Sequence, residues 1–79
     1  MAGQLPPGFE ELWEAIVKDQ DVVMEYMGGS APGSVRVVTP LGVTEIGGRI
    51  YLSAFCHNSR INKTFRLDRI ASYRKYSVR

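Results

Sequence analysis

The 79-residue sequence predicts a mainly β domain: one N-terminal helix, then five or six short strands closing a small β-barrel. Three observations point there. Apolar residues recur at helical spacing only before Asp19, the period changes to two from Val22 onward, and turn residues interrupt the strands every eight to twelve positions. The chain is read as a single domain, 1–79, with the helix at about 8–19 and the barrel at about 21–77.

Pro6 and Pro7 followed by Glu10 and Glu11 mark the helix start, because proline suits the first turn and carboxylates suit the positive end of the helix dipole. Phe9, Leu12, Trp13, Ile16 and Val17 form its apolar stripe, with Trp13 expected as a core anchor. Val22 to Tyr26 reads as the first strand, and Gly28 to Ser34 as a glycine-rich turn without the GxxxxGK[ST] pattern of a phosphate loop. Val35 to Thr39 is a second strand, closed by Pro40, and Leu41 to Ile46 a shorter third. Gly47-Gly48 is a favoured hairpin turn. Arg49 to His57 is the longest strand, with Ile50, Leu52, Ala54 and Cys56 on the core face and Arg49, Tyr51, Ser53, Phe55 and His57 on the other. After a loop at Asn58 to Asn62, Lys63 to Leu67 is a strand, Asp68 to Ile70 a turn, and Tyr73 to Ser77 a closing strand.

Composition narrows the function classes. No apolar run reaches the ~20 residues of a membrane span, and the N-terminus lacks the basic-then-apolar pattern of a signal peptide. One cysteine and one histidine cannot assemble a His/Cys metal site, and no cofactor is indicated. Cys56 and His57 are strand neighbours and point apart, which argues against a nucleophile pair. A lone, core-facing Cys56 suits a reducing, cytoplasmic setting. Catalysis is not expected.

Charge is distributed unevenly. Residues 1–48 carry two cations and seven carboxylates, net −5, whereas residues 49–79 carry eight cations and Asp68 alone, net +7. Such asymmetry suggests a face for a polyanion, or two halves that pair with each other. In the basic half the cations alternate with Tyr51, Phe55, Phe65, Tyr73 and Tyr76. Single-stranded nucleic acid is held by that combination, since cations follow phosphates and aromatic faces stack bases. An ordinary basic surface on a strand-rich domain is the alternative.

Gly48-Arg49-Ile50-Tyr51-Leu52-Ser53-Ala54-Phe55-Cys56, continued by Lys63-Thr64-Phe65-Arg66-Leu67-Asp68-Arg69-Ile70, resembles the WYL domain family. The family pattern is a G-x-W-Y-L-x-A-x-C type strand followed by an R-x-F-R-L-D-R-I type segment. Val22 to Tyr26 and Arg36 to Pro40 also fit it. Ile50 stands where the family has tryptophan, and Lys63 where it usually has arginine. The resemblance implies an SH3-like (Sm-like) barrel that serves as a sensor or accessory module in bacteria. Such modules sit in transcription regulators, helicases or CRISPR-associated proteins, so the rest of a larger parent protein is an implied partner.

Together these readings predict a non-catalytic module for single-stranded DNA. Lys63, Arg66 and Arg69, joined by Arg36, are expected on phosphates, with Tyr51, Ser53 and His57 stacking or hydrogen-bonding. Two alternatives stay open: a pocket for a small nucleotide-type anion, and docking against the parent protein through the helix face bearing Glu10, Glu11 and Glu14.

Overall fold

The computed structural model describes residues 8–29 and 31–76. The Pro6-Pro7 helix signal and Ser77 at the expected end of the last strand lie outside them. Helix α1 (Glu10–Val17) is followed by β1 (Val22–Tyr26), β2 (Ser34–Ile46), β3 (Arg49–Cys56), β4 (Ile61–Arg66), a 3-10 turn (Leu67–Arg69) and β5 (Ile70–Lys75). The strands form one antiparallel sheet in the order β4-β3-β2-β1-β5. It is not closed into a barrel: β4 and β5 are its two edges. No helix among the described residues is long and apolar enough to cross a membrane.

Strand parity builds the core. Val22, Met24 and Tyr26 from β1, Val38 from β2, Leu52, Ala54 and Cys56 from β3, and Phe65 from β4 are buried together. Leu67 of the 3-10 turn and Leu12 and Ala15 of α1 complete the cluster. The expected stripe of α1 is rotated. Leu12 and the small Ala15, which lets the helix approach closely, point inward, while Trp13 is 38% and Val17 67% exposed. Trp13 is therefore not the core anchor the sequence suggests. Phe9 stacks on Tyr73 with centroids 5.7 Å apart, and the Tyr73 hydroxyl donates to the Gly8 carbonyl at 2.8 Å. These contacts tie the start of α1 to β5.

The second and third expected strands are one. β2 runs through Pro40, with a register shift between Pro40 and Gly42. Pro40 cannot donate to the ladder, and the extra residue, Leu41, is accommodated as a bulge that bends the strand instead of ending it. The Gly47-Gly48 turn is as expected, and its two positive φ values, 60° and 82°, are those a two-residue type I′ hairpin needs.

The sheet curls so that β1 reaches β4, although two strands separate them in the ladder. The Tyr26 hydroxyl accepts a hydrogen bond from the Arg66 backbone N–H at 3.0 Å, and its ring meets the Phe65 ring edge-on, centroids 4.9 Å apart. Just beyond, the Met27 N–H donates to the Arg69 carbonyl at 2.7 Å. Tyr26→Phe keeps the ring and orphans the Arg66 donor, an expected loss of about 1 kcal/mol. In a domain this small that lowers the melting temperature by roughly 4–8 °C, measurable by circular dichroism, and an unchanged melt would deny the hydroxyl this role.

Candidate functional site

On the face of β3 opposite the core, Tyr51 and Ser53 stand directly across from Arg66 and Thr64 of β4. The Arg66 guanidinium grips Asp68 side-on: Nε donates to Oδ1 at 3.0 Å and Nη2 to Oδ2 at 2.8 Å. This paired, charge-assisted geometry raises the Arg66 pKa above its ordinary value and holds the Asp68 carboxyl below its own. Arg69 and Arg49 add to the depression at Asp68, and Tyr51 acts on Arg66 in turn. Arg66 is thus paired with Asp68, Tyr51 lies across the strand from it, and Arg69 and Arg49 carry their charge nearby. The cluster keeps two positive charges in excess.

Local chain geometry explains the gathering. Arg66 ends β4, and the 3-10 turn that follows buries Leu67 while leaving Asp68 and Arg69 exposed. Arg49 was not among the residues singled out from the sequence. The structure reveals it: the β3–β4 pairing ends with Tyr51 opposite Arg66, and Arg49, at the start of β3, lines the same surface depression as Asp68 of the 3-10 turn.

Of the expected residues, Tyr51, Ser53, Arg66 and Arg69 come together, and three do not. Lys63 lies across from Ala54, on the core side of the sheet, where its charge acts on the Cys56 thiol. An odd separation between Lys63 and Arg66 along one strand puts them on opposite faces. Burial pushes that thiol up, but hydrogen bonds from Ser59 and Asn58, with Lys63, outweigh it and leave the pKa below the ordinary thiol value.

Arg36 pairs with the buried Met24 and also points inward. Its guanidinium lies 5.6 Å from the Tyr26 ring centroid and 5.7 Å from that of Phe65, with Nε donating to the Ser34 hydroxyl at 3.0 Å. It braces the inner face of the sheet over Tyr26 and Phe65. His57 follows the end of β3, and the strand from Tyr51 to Cys56 already separates them by roughly 15–20 Å. There the Thr39 hydroxyl donates to Asp21 Oδ1 at 2.6 Å and accepts from His57 Nε2 at 2.7 Å. His57 belongs to this separate cluster, formed by residues far apart in the sequence.

The sequence profile of the WYL domain matches residues 7–75. The chain belongs to the WYL domain family. Proteasome accessory factor B/C (PafBC) of Arthrobacter aurescens has the same fold, with a TM-score of 0.83 over 95% of this chain at 24% identity. The match spans 12% of that protein's chain. No curated protein matches this sequence.

In this WYL domain Asp68 competes with any external anion for Arg66. Asp68→Asn is expected to free the Arg66 guanidinium for external anions, read as tighter binding of a sulfated polysaccharide probe at low salt. Acid stability gives a second readout. Because Asp68's folded pKa is depressed, its stabilising effect is full above the unfolded value of about 3.9 and fades as pH falls through the lower folded value. Asp68→Asn should therefore flatten the acid limb of the stability profile below about pH 4 while leaving its neutral part similar in shape.

Proposed function

We propose that this domain is a non-catalytic regulatory module that binds single-stranded DNA through its basic–aromatic outer face. The observation that carries the reading is the paired Arg66–Asp68 geometry at the end of β4, with Tyr51 directly across from Arg66, Arg69 in the adjoining turn and Arg49 lining the same depression as Asp68. The guanidinium groups take successive phosphates, and Arg69 and Arg49, for which no ion pair is formed among the described residues, are the more available. Tyr51 offers a ring for base stacking, and Ser53 and Thr64 extend the face with hydroxyls.

The curled sheet, with a 3-10 turn before its last strand and Tyr26 bridging to β4, supports an SH3-like reading of the barrel-like path. The family is one of sensing and accessory domains. Since the domain spans a small share of the PafBC chain, we take it as a module that works within a larger cytoplasmic protein, a transcription regulator or a helicase.

Neutralising three phosphates on a single strand gives a slope of about −2 in log K against log salt. An anisotropy titration with oligo-dT should show that slope. Arg69→Ala should lower affinity and flatten the slope by about 0.7, whereas Lys63→Ala, on the other face, should change neither. Salt-independent binding, or equal losses for Arg69→Ala and Lys63→Ala, would remove the arginine cluster from the reading.

A further inference from the structure

An open depression of about 290 Å³ lies beside the arginine cluster, between the start of α1 and the β2–β3 turn. Phe9, Ile50 and Leu67 make it apolar, and Gly48 sends no side chain into it. Arg49 and Asp68 also line it, and Asp68 is the residue held by Arg66. The cavity is thus apolar within and cationic at the edge. Ile50 is half-buried here, at the position where the family pattern has tryptophan. A side chain smaller than an indole leaves space at the inner wall.

We propose that this depression takes one base of a bound single strand, with the phosphate next to that base held by Arg49 and Arg69. The charge pattern selects this occupant. A purely apolar group would leave the arginines unused, and a bare phosphate would leave the apolar walls of Phe9, Ile50 and Leu67 against water. A nucleotide matches both parts, since every base has an apolar face and carries an anion a short distance away. The inference rests on the reading that the arginine cluster binds nucleic acid.

The test compares oligo-dT with an abasic sugar–phosphate oligomer of the same length, using the full chain and Ile50→Trp. The unaltered domain is expected to bind oligo-dT at least tenfold more tightly than the abasic strand. Ile50→Trp fills the depression, so it should bring oligo-dT affinity down towards the abasic value while leaving abasic binding as it was. If Ile50→Trp leaves the oligo-dT preference intact, the pocket is overturned and the arginine reading stands. If neither strand binds the unaltered protein, both fall. A second measurement needs no variant: an oligomer carrying 5-iodouracil, irradiated on the unaltered domain, should cross-link to Phe9, and cross-links confined to other aromatic residues would overturn the pocket.

Discussion

The hydrogen bond from the Arg66 backbone to the Tyr26 hydroxyl is the constraint on which the rest of the structure turns. It joins the end of β1 to the end of β4, strands that are not neighbours in the ladder. A five-stranded sheet of this size buries enough only if it curls, because a flat one would leave half of each strand's apolar side uncovered. Tyr26 does this with three groups at once. Its ring packs edge-on against Phe65, the Arg36 guanidinium lies over its face, and its hydroxyl satisfies a backbone donor. A phenol suits the position because it spans from the core to the rim and ends in a polar atom.

The arginine cluster follows from that closure. Arg66 is fixed at its backbone by Tyr26 and at its side chain by Asp68. Both restraints lower the entropy that a long, charged side chain loses on meeting a ligand. The 3-10 turn then alternates a buried leucine with exposed Asp68 and Arg69, so a single short segment supplies both core and charge. Asp68 carries two opposed effects. It orients Arg66 for a planar anion, and it occupies the donors such an anion would use. The excess of guanidinium groups over carboxylate keeps the cluster attractive to phosphate.

Most of the fold was legible in the sequence because it depends on local period and turn chemistry. Strand parity placed Leu52, Ala54, Cys56 and Phe65 inside, and Gly47-Gly48 announced its hairpin. Two expectations failed where packing overrode local signals. Pro40 reads as a strand terminator, yet a bulge at Leu41 lets β2 continue around the bend. Trp13 reads as an anchor by size, yet the small Ala15 is what allows the helix to sit close, and that choice turns Trp13 outward. The site was half legible. Tyr51, Ser53, Arg66 and Arg69 were grouped by parity and composition and do lie together, whereas Lys63 and Arg36 were grouped with them by charge alone and face the other way.

By itself the sequence determined the helix-then-strands order, the faces of β3 and β4, the uneven charge and the family, because each is written in neighbouring residues. Only the tertiary structure decided which cations meet. The 3-10 turn after β4 brings Asp68 to the depression that Arg49 lines, the β1–β2 pairing carries Arg36 inward over Tyr26 and Phe65, and strand length holds His57 away from Tyr51. Those outcomes depend on pairings between residues far apart in the chain, and composition holds no record of them.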